Sequence, residues 1–196
     1  MPNDCLSQNN EVPSIGGTSY FMECVLVMMY KTNTMESDSI EILESKFGKG
    51  LFARKNIEKG LVLCKVNGRQ MNFQQTLLLR EKESHTLQID FDKYILCETP
   101  FLYSNHSCTP NCAINSDLEL FTLQDVKEGE ELFWDYSTSM LERHWTMKCT
   151  CGEKNCRKII TDFDLLPVDL QRSYLDLNIV LPFIAHFINY ERAKSA

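Results

Sequence analysis

The chain has 196 residues, 43% of them hydrophobic, and a formal net charge of −7. That length fits one domain with a sizeable core. The acidic balance excludes a surface of clustered Lys and Arg built for phosphate backbones, so no direct nucleic-acid binding is expected. The same charge favours solubility and suits basic partners.

Nine cysteines make an odd count, and the start Met1-Pro2-Asn3-Asp4-Cys5 lacks the basic segment of a secretion signal. A disulfide framework does not fit. Reduced thiols with a metal site do, which predicts an intracellular protein, cytoplasmic or nuclear. Cys5, Cys24, Cys64 and Cys97 stand alone among apolar neighbours and read as small core residues.

Residues 1 to about 19 are polar and read as a loose tail. The apolar run from Tyr20 to Tyr30 carries Glu23 and is too short to span a bilayer, so it reads as a buried strand and no membrane contact is expected. From Ile40 the chain breaks into short strand-like runs. Ile40 to Leu43, Gly50 to Ala53 and Leu61 to Val66 are bounded by Gly48, Gly60 and Gly68. Asn72 to Glu83 has a polar helical texture. Leu87 to Phe91 and Tyr94 to Cys97 are expected to pair across Asp92-Lys93. Leu118 to Leu123 follows the turn Asn115-Ser116-Asp117, and Glu131 to Trp134 follows Glu128-Gly129. Beyond Ile160 the texture is helical. Pro167 opens Val168 to Leu175, and Pro182 opens a second run with Phe183, Ile184, Phe187 and Ile188 at helical spacing. The expected fold class is mainly β with short helices.

The chemistry concentrates in Asn105-His106-Ser107-Cys108-Thr109-Pro110-Asn111, followed by Asp135-Tyr136 and then Cys149, Cys151 and Cys156. One cysteine far upstream of a tight group of three is what a closed four-thiolate zinc site needs when one ligand comes from a core loop. Metal at Cys108, Cys149, Cys151 and Cys156 would anchor the later segment on the core, coupling folding to site assembly.

These motifs, with Glu131-Leu132 and an upstream Phe47-Gly48-Lys49-Gly50-Leu51-Phe52, resemble the SET-domain protein-lysine methyltransferases with a post-SET zinc segment. The resemblance implies a β-clip-like fold with a pseudoknot, in which a C-terminal segment threads under a loop. It divides the chain into an N-terminal tail and extra strand (1–38), a SET domain (39–140), a post-SET zinc segment (141–162) and a C-terminal helical extension (163–196). It implies S-adenosylmethionine and Zn2+ as cofactors and a lysine-bearing protein or peptide as substrate. The oligomeric state is left open. Cofactor contacts fall on Lys49, Gly50, Leu51, Tyr103, Asn105, His106, Tyr136 and Ile160. Cys112, near Cys108, is then packing, and His144 an ordinary polar residue.

Tyr136 is the catalytic candidate, at the end of a channel lined by Tyr94, Tyr103 and Trp134. Lysine has a reference pKa of ~10.4, so only about one in a thousand is neutral near pH 7. A narrow apolar channel raises that fraction, and an oriented hydroxyl aligns the amine. Trp134 occupies the position that influences how many methyl groups are added. Its bulk and its lack of a hydroxyl act in opposite directions, so the product state stays open. Two departures from the family stand out. Leu102-Tyr103-Ser104 replaces an Arg-Phe-Ile type of sequence, and Arg157-Lys158 replaces Arg-Gly. The alternatives are a non-catalytic SET-like binding module and a methyltransferase acting on a small-molecule amine.

Overall fold

The computed structural model describes residues 37–194. The readings for residues 1–36, including the Tyr20 to Tyr30 strand, Cys5 and Cys24, fall outside the described residues. Strands β1 (Ile40–Ser45) and β2 (Gly48–Ala53) form an antiparallel hairpin with register Ile40↔Ala53 to Ser45↔Gly48. Gly48 has φ +97°, a left-handed conformation that glycine adopts without a Cβ penalty. The glycine-containing loop expected here is thus the turn and first half of β2.

Strands β3 (Val62–Lys65), β4 (Gly68–Met71) and helix α1 (Phe73–Leu77) follow. The helix is shorter than the expected span to Glu83. A capping box of Asn72 with Gln75 fixes its start. Arg80, at φ 54°, breaks the α-helical run, and Arg80–His85 continues as a 3-10 helix. Strands β5 (Thr86–Asp90) and β6 (Lys93–Cys97) pair as the expected hairpin, and β6 also pairs with β4, giving the order β4-β6-β5.

The short β7 (Asn105–His106) is followed by β8 (Cys112–Ile114) and β9 (Glu119–Thr122), which join β3 in the order β3-β9-β8. The Asn115 side chain accepts from the backbone N–H groups of Asp117 and Glu119, building the turn between β8 and β9. Then come β10 (Phe133–Trp134), β11 (Met147–Lys148) and β12 (Ile159–Ile160), and finally α2 (Val168–Asp176) and α3 (Pro182–Lys194). No helix among the described residues is long and apolar enough to cross a membrane.

The main core draws on both halves. Leu51, Leu63, Ile114, Leu120 and Leu132 share it with Phe163, Ile179, Leu181 and Ile184. The C-terminal helices therefore bury their apolar residues in the same core as the sheets. Cys64, Cys97 and Cys112 are buried, as small apolar residues would be. A second cluster groups Cys108, Met140, Cys149, Cys151 and Ile160.

Gly68 sets a sharp test of the β4–β6 pairing. It has φ +151°, and an added Cβ would lie 1.9 Å from the Leu96 carbonyl oxygen. Gly68→Ala should lower stability by at least about 2 kcal/mol in urea unfolding, because both the conformation and the contact oppose it. An unchanged midpoint would contradict this pairing.

Candidate active site and cysteine cluster

β7 and β10 pair in parallel, Phe133↔Asn105 and Trp134↔His106. This sets two motifs nearly thirty residues apart side by side. The Asn111 amide stitches the junction, donating to the Glu131 carbonyl and accepting from the Phe133 N–H, both at 2.8 Å. Leu132 N–H donates to the Leu51 carbonyl at 2.8 Å, which fixes β2 against the same junction.

Asn105 Nδ2 donates to the Lys49 carbonyl at 3.0 Å and to Glu131 Oε1 at 2.8 Å. Ser45 Oγ donates to Glu131 Oε2 at 2.8 Å. A Cβ on Gly50 would lie 2.4 Å from Glu131 Oε1, so glycine there admits the close approach. Lys49 Nζ lies over the Tyr103 ring at 5.5 Å. Lys49, Gly50, Tyr103 and Asn105 are thus gathered at one place, while the Leu51 side chain is wholly buried.

Tyr136 Oη donates to the Ser104 carbonyl at 3.0 Å, and Trp134 Nε1 donates to the same oxygen at 3.2 Å. The Trp134 and Tyr136 rings are 4.7 Å apart. Burial, with smaller contributions from Cys97 and Glu131, pushes the Tyr136 hydroxyl well above its ordinary pKa, so it stays a protonated donor. Behind it, His106 Nδ1 lies 3.3 Å from the Tyr136 backbone nitrogen and Nε2 lies 3.4 Å from Cys108 Sγ. Burial pulls His106 down to about 4 against the opposing charge of Asp135, leaving a neutral imidazole.

A cavity opens beside this pair, with Tyr94, Trp134, Tyr136 and Trp145 among its walls. Tyr94, Trp134, Ser104 and Met140 are buried at its floor, whereas Ser84 and His85 are exposed at its rim. Tyr94 and Trp134, expected to line the channel, therefore meet Tyr136 in one cavity. Tyr103 is not part of its lining and stands with Lys49 instead.

Cys108, Cys149, Cys151 and Cys156 converge, with all four sulfurs within 4.8 Å of one another. Cys108 and Cys149 Sγ are 3.9 Å apart. A tetrahedron with ~2.3 Å metal–sulfur arms has edges of about 3.8 Å, so the donor set is sized for a metal ion. Backbone N–H groups of Arg157 and Cys151 point at Cys108 Sγ and Cys149 Sγ, each at 3.4 Å, an arrangement that would stabilise thiolate ligands. Burial raises the Cys108 and Cys149 thiols. At Cys151 burial acts the same way, but hydrogen bonds from the backbone at Cys108 and Glu153 outweigh it and bring the thiol to about 7. Lys46 Nζ donates to the Cys151 carbonyl at 2.8 Å, tying the β1–β2 turn to the cluster. Ile160 packs against it, fully buried. His144 pairs with Glu83 at 2.9 Å and is not in the group.

Asp135 carries a network that sequence reasoning missed. Arg157 donates to both its oxygens at 2.6 Å, and Tyr174 Oη donates to Oδ2 at 3.0 Å. Asp135 and Tyr136 stand together in the sequence, where the motif points to a task for the tyrosine alone. Tyr174 carried no signal, since a tyrosine in an amphipathic helix reads as packing.

Residues 48–137 match the family model for the SET domain, and this part of the chain is a SET domain. The mainly β architecture agrees with the crystal structure of the methyltransferase domain of human histone-lysine N-methyltransferase SETMAR. That likeness has a TM-score of 0.52 at 23% identity, over 63% of this chain and 58% of that one, and concerns the fold. The chain is also 28% identical over 139 residues to the histone-lysine N-methyltransferase trr of Drosophila melanogaster. It is 27% identical over 176 residues to the histone-lysine N-methyltransferase trithorax of Drosophila virilis. The matches cover 62% and 79% of this chain but only 6% and 4% of those much longer relatives.

The Asp135 network yields a direct test. Asp135→Asn leaves the Arg157 guanidinium, whose side chain is 12% exposed, without its countercharge. Removing one partner of a buried pair should destabilise the domain by about 3–5 kcal/mol in denaturant melts. A loss below about 1 kcal/mol would mean that the pair is not holding these segments together.

Proposed function

We propose that the chain is an S-adenosylmethionine-dependent methyltransferase acting on the ε-amine of lysine in a protein or peptide. The observation that carries this reading is the meeting of the Tyr136 hydroxyl with the Ser104 carbonyl at the wall of an aromatic cavity. An aromatic cavity accepts the lysine stem and disfavours its charged form. The Ser104 carbonyl and the Tyr136 hydroxyl oxygen provide acceptors at fixed positions, which can hold an amine by its N–H bonds and leave its lone pair free.

On the other side of β7, Asn105 and the backbone of Lys49 and Gly50 offer the polar groups for the cofactor, with His106 presenting its backbone. S-adenosylmethionine supplies the electrophilic methyl group when bound. The four cysteines suit zinc, whose role is to hold Arg157 and Ile160 beside the Asn-His strand. The relatives named as histone-lysine methyltransferases support a lysine-rich substrate such as a histone, and the acidic chain suits a basic partner. The small-molecule alternative has no observation in its favour.

Transfer of tritium from labelled cofactor to core histones is the primary assay. Tyr136→Phe should keep the fold and the cofactor affinity while turnover falls about a hundredfold, the loss of one oriented hydrogen-bond partner. Asn105→Ala should instead weaken cofactor binding at least about tenfold, or about 1.4 kcal/mol, by calorimetry. A fully active Phe variant would refute the role of Tyr136, and unlabelled protein and small molecules alike would favour a binding module.

A further inference from the structure

The proposed transfer leaves one acidic group of the cavity wall without a task. A lysine amine arrives as ammonium and must lose a proton before its nitrogen can attack, and neither Tyr136 nor Ser104 removes one. Glu83, His85 and Glu142 are the carboxyl and imidazole groups among the cavity-lining residues. Glu83 is occupied by His144 at 2.9 Å, and His85 is exposed at the rim. Arg143, beside Glu142 in sequence, is taken by Asp162 and Asp164. None of the salt bridges found among the described residues engages Glu142.

Glu142 is half-buried in the cavity lining beside Tyr94, which is itself 2% exposed. Burial raises the Glu142 carboxyl above its ordinary range. Tyr94 opposes that rise, Asp162 adds to it, and His144 and the Trp145 N–H oppose it. The other protonated groups of the cavity are poor acceptors. Burial pushes the Cys97 thiol up to about 12, and burial likewise raises the Tyr94 and Tyr136 hydroxyls. The aromatic walls lower the basicity of an entering amine while the same burial raises Glu142, so the two approach each other from opposite sides.

We infer that Glu142 takes the proton from the substrate ammonium, an inference that rests on the methyl-transfer reading. An N–H bond of the ammonium breaks and its proton forms an O–H bond on the Glu142 carboxylate. The freed nitrogen lone pair forms the new N–C bond to the methyl group as the C–S bond breaks, and sulfur keeps that electron pair. Half-buried Glu142 then passes its proton to solvent, which restores the carboxylate. The Tyr94 hydroxyl, which acts on the Glu142 carboxylate electrostatically, is assigned as its positioning group.

Glu142→Gln keeps the shape and the acceptor for Tyr94 but cannot take a proton. With labelled cofactor and core histones, its kcat near pH 7.5 should fall about a hundredfold, within the range for a lost general base. The deficit should shrink toward pH 10, where the amine loses its proton to solvent. Melting temperature and cofactor affinity should match the wild type. Glu142→Asp, which keeps a carboxylate, should recover part of the rate and serves if the Gln variant does not fold. Equal rates for Gln variant and wild type at every pH, a loss that does not change with pH, or equal losses in Asp and Gln would each overturn the assignment. A wild-type protein that transfers no label overturns the methyl-transfer reading, and this inference with it.

Discussion

Asp135 takes its carboxylate into the interior, where it is 2% exposed, and a charge in that position must be met. Its partners come from elsewhere in the chain. Arg157 stands just past the last cysteine, and Tyr174 projects from α2. The Ser137 N–H adds a local hydrogen bond at 3.1 Å. Tyr136, whose hydroxyl faces the cavity, is the next residue in the chain, so the ring's position depends on this anchor. One carboxylate thereby links the strand β10, the cysteine segment and the C-terminal helices. The arrangement is not free of cost, since Arg157 Nε is buried without a hydrogen-bond partner.

That dependence explains why the C-terminal extension shares the main core. α2 must sit close enough for Tyr174 to reach Asp135, and Tyr174, Phe163, Ile179 and Ile184 belong to that one buried cluster. The cysteine cluster does the same work from the other side. Cys108 belongs to the Asn-His segment, whereas Cys149, Cys151 and Cys156 belong to the segment that carries Arg157. His106 links the cluster to the residue after β10, with one ring nitrogen toward the Tyr136 backbone and the other toward Cys108 Sγ.

Strand hairpins were legible because alternating burial and glycine-bounded turns are local signals. Ile40 to Leu43 and Gly50 to Ala53 read as strands and pair as β1 and β2. The four cysteines were legible because their spacing is a chemical pattern. The helix expected from Asn72 to Glu83 was too long, because polar composition does not reveal Arg80 in a left-handed conformation. The placement of Tyr103 beside Lys49 and the Asn111 stitch depend on the parallel β7–β10 pairing, which no local pattern encodes. Asp135, Arg157 and Tyr174 lie about twenty residues apart from one to the next, and only the folded chain brings them together. Lys158 has φ 70°, in the left-handed region where a glycine would be unstrained, at an expected cost of about 1 kcal/mol.

On the proposed function, the cysteine cluster and the cofactor groups form one assembled site. The direct measurement is S-adenosylmethionine affinity by calorimetry before and after the metal is extracted with a chelator, with metal content determined in parallel. About one zinc per chain is expected, with at least about a tenfold loss of affinity and a lower melting temperature once the zinc is gone. Metal-free protein that binds S-adenosylmethionine with undiminished affinity would contradict it.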